Sequence, residues 1–241
     1  MNVIVCNTAD EMDVIASKEF VDLISTKPNA ILGLATGSTP IGLYKKLVQL
    51  HKDDKLDFSK VTTFNLDEYV GISQEHACSY HTFMHENLFK YVNLPKENIN
   101  IPDGQAKNLE EECKKYDQKI EDAGGIDLQI LGIGRNGHIG FNEPGTPFDA
   151  VTHIVTLDQG TREANSRFFN SIDEVPTKAL SMGIKSIMHA QNIILMAKGA
   201  DKAEAIYNTI NGPVTPVVPA SVLQLHPNAT IILDKEAASR L

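Results

Sequence analysis

Residues 128–144 read LQILGIGRNGHIGFNEP, an apolar run that breaks into a glycine-rich loop. The run from Leu128 to Ile133 has the length and composition of a buried strand. The loop that follows brings His138 and Glu143 close together in the sequence. Glycine lets the backbone approach a ligand closely, and a histidine beside a carboxylate can move protons near neutral pH. The stretch therefore predicts a strand that presents a proton-handling loop, with an incidental glycine-rich turn as the alternative.

Short apolar runs of the same kind alternate with amphipathic stretches along the chain. The strand candidates are Val3–Cys6, Ala30–Ala35, Val61–Leu66, Leu128–Ile133, His153–Leu157, Asn192–Ala197 and Thr230–Leu233. The helix candidates are Asp10–Ile24, Pro40–His51, Ser79–Val92, Leu109–Ala123 and Asp201–Ile210. Near-continuously apolar strands separated by helices are typical of a parallel sheet that is covered on both faces. We therefore predict a three-layer α/β fold with a mostly parallel, open, Rossmann-like sheet, formed by residues 1–241 as a single domain.

The composition argues against several classes of protein. The chain of 241 residues carries a formal net charge of −9, which disfavours nucleic acid or an anionic membrane as its main partner. Its three cysteines form neither a Cys-x-x-Cys nor a zinc pattern, which indicates reduced thiols. The amino-terminal apolar run is too short for a signal peptide, and no apolar run reaches the roughly 18 residues of a membrane span. We expect a cytoplasmic protein.

The loop Gly37-Ser38-Thr39, here called the cradle loop, follows the second strand candidate. Ligands of open parallel sheets bind at the carboxyl ends of the strands. Pro40 suits the first helical position and Ser38 or Thr39 can cap the helix, so that free amides and hydroxyls surround the positive end of its dipole. This pattern predicts a phosphate site, with a capped helix start as the alternative. The loop lacks the Gly-Lys-Ser/Thr of a Walker A motif, so nucleotide binding is unsupported.

Two further segments offer cations for a phosphate. Lys202 lies in the first turn of a predicted helix, where a cation is unfavourable against the helix dipole unless an anion is bound nearby. The alternative is a solvated lysine. Arg162 and Arg167 lie in the polar segment 161–170, and either could bind a phosphate through two parallel hydrogen bonds. The local sequence does not choose between these two arginines.

Asp67 and Glu68 follow the strand candidate that ends at Leu66, where two adjacent carboxylates are positioned to face the crevice. An aspartate there can act as a base if burial or hydrogen bonding sets its pKa, and an acidic surface loop is the alternative. His81 and His85 are spaced i, i+4 on a helix but have no obvious third ligand, so no metal site is expected. Together the loops predict an anion site, a carboxylate base and a histidine–carboxylate pair at one edge of the sheet.

Several blocks of the sequence resemble the glucosamine-6-phosphate deaminase family, also called the glucosamine/galactosamine-6-phosphate isomerases. The blocks are residues 34–40, 65–69, 132–144, 161–169, 212–216 and 219–227. Phe141-Asn142-Glu143-Pro144 is the most specific of these pieces, and the resemblance runs essentially end to end. It implies conversion of glucosamine 6-phosphate and water to fructose 6-phosphate and ammonia, without a cofactor, because the carbonyl of the substrate itself serves as the electron sink.

The resemblance also implies residue roles. His138 opens the sugar ring by shuttling a proton, and Asn136 and Glu143 hold and tune it. Asp67 removes the C2 proton and returns one to C1, through an enolamine that loses ammonia. The implied phosphate ligands are Gly37, Ser38, Thr39, Arg167 and Lys202. The family pattern thus selects Arg167 over Arg162.

Two departures from the family pattern matter. Many members carry aspartate at the position of Asn136, whose amide can accept a hydrogen bond from the imidazole but lacks a charge to stabilise an imidazolium. Allosteric members are longer at the carboxyl terminus and basic at the positions of His153 and Val155. The chain therefore resembles a shorter, non-allosteric type, a monomer or small homo-oligomer. Residues 151–188 are a predicted lid. The alternatives for function are a 6-phosphogluconolactonase-like hydrolase and an inactive sugar-phosphate sensor.

Overall fold

The computed structural model describes residues 1–166 and 169–241, and its larger sheet has seven strands. They are β1 (Asn2–Cys6), β2 (Ile31–Leu34), β3 (Thr62–Asn65), β5 (Ile99–Asn100), β6 (Leu128–Leu131), β9 (Asn192–Ala197) and β10 (Ala229–Asp234). Their order is β1-β10-β9-β6-β2-β3-β5, and every pairing between them is parallel. The predicted α/β fold is confirmed.

Seven described α-helices surround this sheet. They are α1 (Ala9–Thr26), α2 (Ile41–Lys52), α3 (Tyr80–Asn87), α4 (Leu109–Asp122), α5 (Gln159–Asn165), α6 (Ile184–Met188) and α7 (Ala203–Asn211). In α1, the buried residues Met12, Ala16, Phe20 and Ile24 recur every four positions and form one stripe. The sequence did not predict α5 and α6, which are short. None of the described helices is long and apolar enough to cross a membrane.

A second, smaller sheet is antiparallel. It consists of β4 (Asp67–Tyr69), β8 (Lys178–Ser181) and β7 (His153–Thr156), in the order β4-β8-β7. The prediction that His153–Leu157 joins the parallel sheet is wrong, because a short apolar run carries no information about which sheet it enters. Asp67 also lies on a paired strand rather than in a loop, since the chain continues from β3 through Leu66 directly into β4.

The smaller sheet lies against the glycine-rich loop (residues 132–144). Phe141 of that loop packs with Tyr69 of β4, Val155 of β7 and Ala179 of β8 in a separate apolar cluster. Two parts of the predicted lid, β8 and α6, therefore belong to the packed interior, where Leu180, Ile184 and Ile187 are fully buried. The lid itself stays a prediction.

Candidate active site

The glycine-rich loop turns back on itself directly after β6. The amide of Gly134 donates to the carbonyl of His138 at 2.9 Å, and that of Gly137 donates to Gly134 at 3.1 Å. The imidazole of His138 lies flat against Gly134, where a methyl group would come within 2.3 Å of the ring. Glycine is required there because any side chain would displace the imidazole. The loop is thus built around the position of His138.

Glu143 is held as an anion next to His138. Its Oε2 lies 3.3 Å from His138 Nδ1 and accepts from Asn136 Nδ2 at 2.7 Å, while its Oε1 accepts from Thr161 Oγ1 at 2.5 Å. Burial acts to raise the pKa of Glu143, but these hydrogen bonds and the charge of His138 outweigh it and lower the pKa to about 2. Because a carboxylate only accepts, Nδ1 of His138 must carry its proton, which leaves Nε2 of the neutral ring as the base.

Asn136 acts on this pair from the Glu143 side. Its Nδ2 donates to Glu143, and its Oδ1 accepts from the backbone amide of His138 at 3.2 Å. The expected hydrogen bond from the imidazole to this amide is absent among the described contacts. Asn136 therefore influences the ring of His138 through Glu143 and through the turn of the loop.

Asp67 is a buried carboxylate without a hydrogen-bond donor among the described residues. It is 6% exposed, and burial together with the charge of Glu68 raises its pKa to about 8. A methyl group added to Gly140 would lie 3.8 Å from Asp67 Oδ2, so Asp67 lies against the glycine-rich loop two residues beyond His138. Once ionised, this carboxylate is a stronger base than an ordinary aspartate.

Glu68 does not face the crevice as expected. Successive side chains of a strand point to opposite faces, so Glu68 turns away from the face of Asp67. Its carboxylate accepts the backbone amides of Tyr69 at 2.8 Å and of Tyr80 and His81 at 3.0 Å, the last two at the amino terminus of α3. It is 3% exposed. Glu68 thus fastens α3 to β4 and places a negative charge beside Asp67.

The cradle loop leaves its hydroxyl groups uncommitted to the helix. Gly37 has a φ of 96°, in the left-handed region that favours glycine. The N-cap of α2 is Pro40, so the prediction that Ser38 or Thr39 caps this helix is wrong. The carboxylate of Asp13, on α1, accepts the amide of Leu43 in the first turn instead.

A lysine from the segment that follows β9 contacts the cradle loop. Lys198 Nζ donates to the carbonyl of Ser38 at 3.1 Å. Lys202 is the N-cap of α7, and its Nζ lies 3.9 Å from Asp201 Oδ2. Arg135 of the glycine-rich loop binds the same carboxylate oxygen at 3.0 Å. The segments that follow β2, β6 and β9 therefore meet at one edge of the sheet.

The structure also bears on the two arginines. Arg162 Nη2 donates to the carbonyls of Ile172 and Val175, at 3.0 and 3.2 Å, so this guanidinium is engaged within its own segment. Arg167 lies outside the described residues. Asn165 and Phe169, on either side of it in sequence, line a cavity of about 280 Å³ together with Gly37.

Two contacts of the site escaped the sequence analysis. Thr161 contacts Glu143, and Lys198 contacts the cradle loop. Neither residue lies in a local motif that predicts such a role. A hydroxyl in a polar segment, or a lysine after a strand, has a partner that only the fold reveals. In the described part of the chain, no group of three or more His, Cys, Asp or Glu side chains could hold a metal ion.

Comparison with known proteins gives a consistent result. Residues 7–232 match the family of glucosamine-6-phosphate isomerases/6-phosphogluconolactonase. The chain is 56% identical over 241 residues to a glucosamine-6-phosphate deaminase of Clostridium botulinum (strain Kyoto / Type A2), with 100% of this chain and 99% of the relative covered. It resembles the structure of a monomeric glucosamine-6-phosphate deaminase with a TM-score of 0.98 and 47% identity, over the full length of both chains.

A 6-phosphogluconolactonase is a more distant structural neighbour. The enzyme from Trypanosoma cruzi has a TM-score of 0.78 at 21% identity, with 100% of this chain and 96% of that chain covered. This likeness shows a shared fold alone.

Proposed function

This chain belongs to the glucosamine-6-phosphate deaminase family, and from that premise we propose that it converts glucosamine 6-phosphate and water to fructose 6-phosphate and ammonia. The observation that carries the proposal is the buried carboxylate of Asp67, which has no hydrogen-bond donor among the described residues and lies against the loop that holds His138 and Glu143. Lactone hydrolysis needs no base aimed at a carbon atom, whereas this isomerisation does.

Ring opening is the role that we propose for His138. Its Nε2 takes the proton of the anomeric hydroxyl and returns one to the ring oxygen, so that the C1–O5 bond breaks and an aldehyde forms. The ionised Glu143 stabilises the transient imidazolium and holds Nδ1, and Asn136 holds Glu143. This step must come first, because the C2 proton becomes acidic only beside a carbonyl.

Asp67 is the base that we propose for the second step. It removes the C2 proton and gives an enolamine, and protonation at C1 then yields an imine at C2. Water adds to C2 and ammonia leaves, which balances the overall reaction. A base that works on carbon benefits from a pKa near 8, because proton transfer is most efficient when that value lies near the working pH.

The phosphate group is proposed to bind the cradle loop with Arg167 and Lys202. The left-handed Gly37, the hydroxyls of Ser38 and Thr39, neither of which caps α2, and the approach of Lys198 to Ser38 support this placement. Arg162 is engaged elsewhere, and Asn165 and Phe169, each two positions from Arg167 in sequence, line the same cavity as Gly37. We further propose a single-domain, monomeric, cytoplasmic enzyme, in keeping with the monomeric deaminase that it resembles.

A coupled assay tests the proposal through ammonia release. Purified protein with glucosamine 6-phosphate should release ammonia and fructose 6-phosphate in equal amounts. Hydrolysis of 6-phosphogluconolactone without ammonia release would support the hydrolase instead. Tight binding of glucosamine 6-phosphate without turnover would support the sensor.

A further inference from the structure

The hydroxyl of Thr161 connects helix α5 to the histidine–carboxylate pair. Glu143 presents one oxygen to the glycine-rich loop, where Oε2 meets Asn136 and His138, and the other oxygen to α5, where Oε1 accepts from Thr161 at 2.5 Å. Two segments that lie apart in sequence therefore hold the two oxygens of one carboxylate. The proton transfers of ring opening use His138 and do not themselves require a contact from α5.

We infer that Thr161 is a positioning residue for ring opening: its hydroxyl fixes the rotation of the Glu143 carboxylate, and so the orientation of His138, when α5 is docked. This inference rests on the proposed function. The terminal torsion of a glutamate is broad, so one oxygen held by the loop does not by itself fix the other. Two donors on different segments do fix it.

The remaining contacts of α5 show that Thr161 is its polar link to the glycine-rich loop. The side chain of Gln159 donates within the helix to Glu163, and Arg162 binds the carbonyls of Ile172 and Val175. In the described ranges 1–166 and 169–241, Thr161 makes the one side-chain hydrogen bond from α5 to the glycine-rich loop. Arg162 fastens the turn at residues 172–175 to the same helix. We therefore expect docking of α5 to act on Glu143 through the hydroxyl of Thr161.

The chain offers a matched control for this hydroxyl. Thr146 Oγ1 donates to the backbone carbonyl of Glu143 at 2.7 Å and does not touch its carboxylate. Thr161→Val and Thr146→Val both remove one hydroxyl that contacts Glu143 and keep a side chain of similar volume. They differ in whether the carboxylate loses its donor. Thr161→Ser keeps the donor and serves as the conservative rescue.

The experiment measures kcat/KM with glucosamine 6-phosphate and with the same substrate deuterated at C2. Thr161→Val should lower kcat/KM about tenfold, a fraction of the effect of a complete general base. Its isotope effect should be no larger than that of the wild type, because slower ring opening makes removal of the C2 proton less rate-limiting. Thr161→Ser should regain most of the rate, and Thr146→Val should keep the wild-type isotope effect.

Three results would overturn the inference. They are a kcat/KM for Thr161→Val within twofold of the wild type, an isotope effect that increases, or a serine variant as slow as the valine variant. Hydrogen exchange of the α5 amides needs no turnover and tests the docking even if the wild type releases no ammonia, a result that would refute the proposed function. These amides should exchange faster in Thr161→Val than in Thr161→Ser; equal rates would refute the link.

Discussion

Replacing Asp67 by asparagine should abolish ammonia release and also stabilise the fold at alkaline pH. The pKa of Asp67 is raised from 3.8 to about 8, chiefly by burial and next by the charge of Glu68. The folded protein therefore retains a proton that the unfolded chain loses above about pH 4. The stabilisation that comes from the retained proton of Asp67 is fully present below the pKa of this group in the unfolded chain. It is lost as the pH rises toward the pKa of Asp67 in the folded protein.

The magnitude follows from proton linkage. Each pH unit within this window costs about 1.4 kcal/mol, with a smaller cost close to the folded pKa, so between about pH 5 and about pH 8 the wild type should lose about 4 kcal/mol relative to Asp67→Asn. Burying the amide of asparagine carries its own cost, but that cost does not depend on pH and cancels in the comparison. The variant trades the base for stability, as is common for strained or desolvated catalytic groups.

Urea unfolding at several pH values, followed by far-UV circular dichroism because the chain has no tryptophan, measures this difference. Asp57→Asn is the control. The pKa of the exposed Asp57 is lowered, chiefly by a hydrogen bond from the backbone of Ser59, so its titration lies below the window tested. If the wild type and Asp67→Asn lose stability in parallel from about pH 5 to about pH 8, the argument that burial sets this base is refuted.

Three further results are expected. Asn136→Asp adds an ionisable carboxylate that lets His138 protonate more readily, so the pH–rate profile should move to higher pH while activity is retained; an unmoved profile would contradict this. Initial rates should be hyperbolic in substrate concentration, because the two positions that are basic in allosteric members hold His153, whose Nδ1 contacts the carbonyl of Val151, and the buried Val155. A sigmoidal curve that N-acetylglucosamine 6-phosphate makes hyperbolic would contradict this. Amides of residues 157–177 should exchange more slowly with fructose 6-phosphate bound, and equal rates would count against a lid.

The strands of the parallel sheet were predictable because burial on both faces makes their sequences continuously apolar. The run Asn192–Ala197 coincides with β9, and Val3–Cys6 misses one residue of β1. The smaller sheet was not predictable in this way. Asp67–Tyr69 is a polar tripeptide whose strand conformation comes from pairing with Lys178–Ser181, more than a hundred residues away in sequence. The local strand propensity of these residues does not predict such a long-range pairing.

The candidate site, like the fold, was predictable only in part from the sequence. His138, Glu143 and the cradle loop follow apolar strands, and the rule that ligands bind at carboxyl ends of parallel strands finds them. Glu68 was expected to face the crevice, because a loop imposes no alternation on neighbouring side chains. Once the pair lies on a strand, one carboxylate must turn away, and it meets the amino terminus of α3 instead. The error in secondary structure produced the error in the site.

The two carboxylates of the proposed mechanism need opposite environments. Glu143 has three hydrogen-bond partners, one of them a histidine, and its pKa falls to about 2. Asp67 has no donor among the described residues and a like charge beside it, and its pKa rises to about 8. If Asp67 accepted the same hydrogen bonds as Glu143, its pKa would fall and it would be too weak a base to remove a proton from carbon. Without them, Glu143 would compete with the substrate for the proton on His138. The fold separates these roles by placing Glu143 on the glycine-rich loop, within reach of three hydrogen-bond partners, and Asp67 on β4, a buried strand of the smaller sheet.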